Sequence, residues 1–204
     1  FKAKSLVDIM ESMTTVKHRI GTTGTLDGSK VNALTLTGLI GPVYQVTTTR
    51  ELMDSNHVSD LDIHCIVLKY PEEIKKQLKK IEYQDEMDWL VSNDARNEFI
   101  RKLAVKTKGT TLVLFQYVEK HGKELYGLLK QKLGDTRPVH IVYGGIKTQE
   151  RERIRKVVET QEDAIIIASY GTMSTGTNLP SIENIIFASP SKSRVRNLQS
   201  IGRG

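Results

Sequence analysis

Four short stretches carry residue types able to hold or steer a phosphate. Ser169-Tyr170-Gly171-Thr172-Met173-Ser174-Thr175-Gly176-Thr177-Asn178-Leu179-Pro180 mixes small hydroxyl residues with two glycines. Backbone N–H groups and hydroxyls of such a loop can approach a phosphate without obstruction. The terminal Asn197-Leu198-Gln199-Ser200-Ile201-Gly202-Arg203-Gly204 sets Arg203 between two glycines, where a guanidinium can reach a phosphate through two N–H groups. Thr23-Gly24-Thr25 places two hydroxyls around a glycine, an arrangement able to relay hydrogen bonds between two sites. Tyr143-Gly144-Gly145 precedes Arg151, and its glycine pair permits a sharp turn or close backbone approach. Taken singly, each also reads as an ordinary polar loop.

Other chemistries lack their residues. There is no GxxxxGK[ST] phosphate loop, no HExxH, no GxSxG and no CxxC. The histidines His18, His57, His64, His121 and His140 are scattered without metal-ligand spacing, so structural roles are expected of them and no metal site is assigned. A single cysteine, Cys65, excludes an intrachain disulfide framework; its apolar neighbours predict a core position. No run reaches the roughly 18 apolar residues of a membrane-spanning helix, and no membrane partner is expected.

Charge is unevenly spread. The 204 residues hold 30 Lys and Arg against 24 Asp and Glu, a net charge of +6. Residues 1–60 are neutral, with six of each sign, so the whole excess lies in 61–204. After Glu183 there is no acidic residue, while Lys192, Arg194, Arg196 and Arg203 follow. Such an excess favours polyanions, nucleic acid or nucleotide phosphates, although a mildly basic surface without a partner has the same composition.

The elements that must position these loops follow from periodicity. Apolar runs at 110–115, 139–142, 164–168 and 185–188 alternate with helical patterns at about 117–133, 147–159 and 193–200. Short runs of this kind are buried on both faces, as in a parallel sheet, and the alternation implies right-handed βαβ units. The sequence therefore predicts an α/β, doubly wound parallel sheet, whose ligands bind beyond the carboxyl ends of the strands. Residues 72–107 predict a helical stretch, with Ser92 or Asn93 capping its second helix. Tyr83, Met87 and Trp89 are expected to pack rather than to stack on bases. Upstream, helices are predicted near 5–13, 31–40 and 49–56, and strands at 18–22, 43–46 and within 62–70. The polar segment 54–62 is the candidate linker.

In their order along the chain, these stretches resemble the later motifs of superfamily 2 helicases. Thr23-Gly24-Thr25 resembles motif III, which couples ATP hydrolysis to nucleic acid. Leu112–Gln116 (LVLFQ) resembles motif IV, Ser169–Pro180 motif V, and Gln199–Gly204 the start of motif VI. Gly38–Val46 resembles the segment joining the two RecA-like domains. The resemblance covers essentially the whole chain; single motifs are poorly specific, but five in the right order are strong.

The resemblance implies a RecA-like, P-loop NTPase-type fold. Residues 1–57 would be the tail of RecA-like domain 1 with motif III and linker. Residues 58–204 would be RecA-like domain 2, truncated within motif VI, with a helical insert at about 72–107. Motifs I and II would lie upstream of Phe1, making the chain an internal piece that does not hydrolyse ATP alone. ATP with Mg2+ would be held mainly by those upstream motifs, with Gly176, Asn178 and Arg203 facing the nucleotide. Arg203 would be an arginine finger, and Gln199 would help position it. Ser169, Tyr170, Gly144, Gly145 and Gln116 would lie near the nucleic-acid backbone, and Thr23, Gly24 and Thr25 would couple the two sites.

By the same resemblance, the parent would be a monomeric cytoplasmic motor on branched or single-stranded DNA. It would unwind or branch-migrate forks, D-loops and four-way junctions in recombination, repair and replication restart. A restriction-type DNA translocase, or a non-catalytic α/β nucleic-acid-binding module, stands beside that reading. Three positions depart from the pattern: Asn178 stands where Asp is usual, Ser200 where Arg is common, and Tyr170 where many relatives carry Thr.

Overall fold

The computed structural model describes residues 4–24, 30–57, 59–173, 182–193, 197 and 201. The chain divides into two compact units, Phe1–His64 and Cys65–Gly204.

The second unit is built on four parallel strands: β1 (Thr111–Phe115), β2 (Val139–Val142), β3 (Ile165–Ser169) and β4 (Asn184–Phe187). They lie in the order β2-β3-β1-β4. Every residue of β1 is buried, as a central strand covered on both faces must be. Its side chains alternate between two cores. Val113 and Phe115 join Ile165, Ile167, Ile100, Ala104, Leu125 and Leu129. Leu112 and Leu114 join Ile166, Ala168, Val142 and Val158 on the opposite face. Each fully buried aliphatic side chain contributes roughly 1.5–3 kcal/mol.

The first core is covered by α6 (Asp94–Lys106) and α7 (Lys123–Leu133), the second by α8 (Thr148–Glu159). Asn97, Ile100 and Ala104 form the buried stripe of α6 at helical spacing. Asn93 caps that helix, its side chain accepting the N–H of Arg96 at 2.9 Å. A π-helical turn, Val118–Gly122, leads from β1 into α7. Gly122 is required there, because an added Cβ would stand 2.5 Å from the Phe115 ring.

The stretch 72–107 is three helices rather than two: α4 (Glu72–Leu78), α5 (Tyr83–Val91) and α6. Helix α4 buries no residue, so no packing extends it to Ile81, which is exposed.

The first unit contains α1 (Lys4–Ser12), α2 (Lys30–Leu39) and α3 (Thr49–Asp54). Thr48 and Glu51 close a reciprocal cap on α3, with Glu51 N–H donating to Thr48 Oγ1 at 3.2 Å and Thr48 N–H to Glu51 Oε2 at 2.7 Å. Those bonds hold the Glu51 carboxyl below its ordinary range. Arg19 donates to the carbonyls of Met13 at 2.7 Å and Leu39 at 3.0 Å.

The strands predicted at 18–22, 43–46 and within 62–70 are absent. A strand forms only where a neighbour takes its N–H and C=O groups, and among the described residues these runs have none. Their side chains are correspondingly open, with Ile20, Val46 and Val67 at least 80% exposed. Cys65 is exposed as well, against its predicted place in the core.

Candidate nucleic-acid interface

The sheet register levels its carboxyl ends. Phe115 pairs with Ser169, Val142 with Ala168, and Leu114 with Phe187. One rim therefore gathers Gln116 after β1, Gly144 and Gly145 after β2, Ser169 and Tyr170 at the end of β3, and Ala188–Ser189 after β4.

Ser189 ties this rim together. Its Oγ accepts the Gln116 N–H at 3.0 Å and lies 2.9 Å from His121 Nδ1. Its carbonyl accepts the Tyr170 hydroxyl at 2.7 Å. The preceding carbonyl, of Ala188, accepts Arg96 Nη2 at 2.5 Å. One short segment thus links α6, the π-helical turn and the ends of β1 and β3.

Two groups of this cluster are electrostatically strained. Burial pushes the His121 imidazole down to about 4, and the nearby Arg96 guanidinium adds to the effect. Burial likewise lowers the Arg96 guanidinium. Arg96 Nη1 and His121 Nε2 are buried without a hydrogen-bond partner. A histidine neutral at pH 7 and wholly buried, in contact with Ser189, is suited to holding the rim's shape.

The remaining rim residues are differently placed. Tyr170 opens α9 (Tyr170–Met173), its side chain is buried at 1% exposure, and its ring contributes no surface. Ser169 Oγ and Thr172 Oγ1 are 2.7 Å apart. Gly144 and Gly145 are exposed in a turn closed by the Ile146 N–H on the Tyr143 carbonyl at 3.0 Å. A Cβ on Gly145 would stand 3.0 Å from the Tyr143 ring. Arg151 lies in the first turn of α8, its Nη2 donating to Thr148 Oγ1 at 3.1 Å. Gln116 is exposed.

Thr23 and Gly24 lie exposed in an irregular segment of the first unit. Thr25, Gly176, Asn178, Gln199 and Arg203 lie outside the described residues.

No described residue of 116–117, 143–147, 169–172 or 188–193 is acidic. The rim offers backbone N–H groups, hydroxyls, an amide and lysines, a donor set suited to phosphate oxygens. Among the described residues no group of three or more His, Cys, Asp or Glu could hold a metal ion. Nor is any described helix long and apolar enough to cross a membrane.

Sequence reasoning placed Gln116, Gly144, Gly145, Ser169 and Tyr170 on strand ends, and they share the rim. It missed Arg96 and Ser189, and it gave His121 a structural role, which agrees with its burial. Arg96 is one of many cations in a helical stretch, and nothing in its spacing separates it. Ser189-Pro190 directly after a predicted strand was the available signal, since that is where such sheets bind ligands.

Residues 91–204 match the family described as helicase conserved C-terminal domain. Over 203 residues the chain is 32% identical to "ATP-dependent DNA helicase uvsW" of Enterobacteria phage T4, covering 98% of this chain and 40% of that protein. The crystal structure of T4 UvsW superposes with a TM-score of 0.56 at 33% identity, covering 66% of this chain and 27% of that one. The chain thus spans well under half the length of the curated relative it matches.

Proposed function

The chain belongs to the family of helicase conserved C-terminal domains, and from that membership we propose that it is the C-terminal part of an ATP-dependent DNA helicase or translocase. Residues 58–204 are assigned to RecA-like domain 2, and residues 1–57 to the tail of domain 1 with the linker. The observation that carries this reading is the level, acid-free rim formed by the ends of all four parallel strands. In this proposal the substrate is branched DNA in recombination, repair and replication restart; the likeness to an ATP-dependent DNA helicase supports DNA as the substrate class.

In this reading the Gln116, Gly144–Gly145 and Ser169–Tyr170 segments bind the phosphates of one DNA strand. Tyr170 contributes through its backbone, because its side chain is buried. Contacts of this kind make affinity dependent on salt and nearly independent of sequence. Bound ATP supplies the energy for changing those contacts. Gly176 and Asn178 face the nucleotide, and Arg203, positioned by Gln199, neutralises charge developing on its terminal phosphate. Thr23, Gly24 and Thr25 link that event to the DNA. The parent acts as a cytoplasmic monomer.

The test is DNA-stimulated ATP hydrolysis by the complete protein on a branched DNA, wild type against Arg203→Ala. Arginine fingers contribute about 10³–10⁵ in turnover in related phosphate chemistry. A loss of at least about 100-fold with DNA binding retained is expected. Unchanged turnover removes Arg203 from the nucleotide site and with it the assignment of the terminal motif; absence of turnover in the wild type, with DNA binding present, leaves a binding module without catalysis.

A further inference from the structure

A groove of about 220 Å³ opens beside the rim, between α5 and the segments that follow β1 and β4. Tyr83 and Met87 come from α5, Gln116 and Tyr117 from the end of β1, Ser189 and Lys192 from the end of β4. Met87 is buried, whereas the Tyr83 side chain is 43% exposed. Lys192 Nζ stands 3.7 Å from the centroid of the Tyr83 ring. The Tyr117 hydroxyl accepts Gln84 Nε2 at 3.0 Å, which ties that ring to α5.

We propose that this groove takes one base of single-stranded nucleic acid, stacked on Tyr83, with Lys192 turned to the adjoining phosphate. The inference rests on the function proposed above and deepens it, by giving α5 of the helical insert a contact with the strand.

Tyr83 is 43% exposed, and the ring face under Lys192 is covered by a displaceable ammonium rather than by core side chains. A lysine on an exposed ring is a weak pair, and a base stacks on such a ring more strongly. The exchange frees the ammonium to meet a phosphate. The volume falls below the roughly 300–1,000 Å³ of sites that enclose a small ligand, so the groove suits one planar group rather than a free nucleotide. None of its lining residues is acidic. Gln116 and Ser189 belong to both rim and groove, so a strand following the rim reaches Tyr83 without a break.

The test uses the complete protein and fluorescence anisotropy with two probes of equal length, oligo-dT and an oligomer carrying abasic sites throughout. Tyr83→Ala is expected to weaken oligo-dT binding by roughly 5-fold to 100-fold and to leave abasic binding unchanged. Tyr83→Phe should bind as wild type, and Lys192→Ala should lower the salt slope by about one. Unchanged oligo-dT binding by Tyr83→Ala overturns the inference alone, as does equal weakening on both probes. Failure of the wild type to bind either probe overturns the function reading with it.

Discussion

The two ends of the parallel sheet each hold a partly buried arginine, and they treat it in opposite ways. At the amino end, Arg137 is satisfied on every nitrogen. Its Nε donates to the Asp163 carbonyl at 2.7 Å, and its Nη1 to the carbonyls of Ala104 and Thr107 at 2.9 and 2.8 Å. Its Nη2 donates to the Gly109 carbonyl at 2.8 Å and pairs with Asp163 Oδ1 at 3.0 Å. Carboxylates also gather there: Asp163 Oδ1 accepts the Gly109 N–H at 2.7 Å and Glu183 Oε1 the Thr110 N–H at 3.1 Å. At the carboxyl end, Arg96 donates to the Ala188 carbonyl and, among the described residues, keeps a buried nitrogen unpaired, as does His121. Buried polar groups are normally paired, and exceptions concentrate where function asks for them. The amino end is thus saturated with hydrogen bonds and charge pairs, whereas the carboxyl end leaves buried polar atoms unpaired among the described residues.

The largest effect should therefore come from the amino end. Arg137→Met strips several carbonyls of their donor and leaves Asp163 without its cation. A loss of about 3 kcal/mol is expected, mainly from carbonyls left without a donor, since the half-exposed Asp163 adds little. Arg96→Met removes one hydrogen bond from a charged group and should cost about 1.5 kcal/mol. Urea unfolding followed by Trp89, the single tryptophan and a residue of the second unit, measures both. Equal losses would break the contrast between the two ends.

Next comes a pH effect confined to the carboxyl end. The folded protein holds His121 near 4, against 6.5 for the free side chain. The unfolded chain therefore takes up the proton first as pH falls. The stability this histidine contributes is complete above about pH 6.5, declines below it, and levels off once the folded form also protonates near pH 4. The loss amounts to about 2 kcal/mol by pH 5 and about 3 kcal/mol near pH 4. His121→Asn should remove that part of the pH dependence of the urea midpoint. If the variant's pH profile matched the wild type's, His121 would not be the group responsible.

Much of the second unit was legible because its strands write themselves twice, once in apolar runs and once in alternation with helices. Val113 and Leu114 face opposite cores, yet both are apolar, which is what a sheet covered on two sides demands. The first unit was not legible in the same way. Ile20, Val43 and Ile63 carry strand-like composition, but composition supplies no neighbour to accept a backbone hydrogen bond. At the rim, Gly144, Gly145 and Gln116 could be found because loops at strand ends are where such sheets act. The contact of Ser189 with His121 could not, because it spans 68 residues and no local spacing encodes it.

Tyr170 gives the finest version of the comparison. By the resemblance it would stand where threonine is frequent, and the structure gives its ring a use in packing: it is buried in the second core, 6.3 Å from Phe187 between ring centroids. Its hydroxyl reaches the Ser189 carbonyl, which a threonine at the same place is too short to do. Tyr170→Phe keeps the ring and removes the hydroxyl's bond to Ser189, at a cost of about 1 kcal/mol. Because Ser189 also receives Gln116 and contacts His121, the lost bond should loosen both. Faster amide exchange at Gln116, with Thr111 at the amino end unchanged, is the signature expected. A uniform rise at both ends would instead mean that Tyr170 supports the sheet as a whole and that the carboxyl rim is not an independently adjustable part.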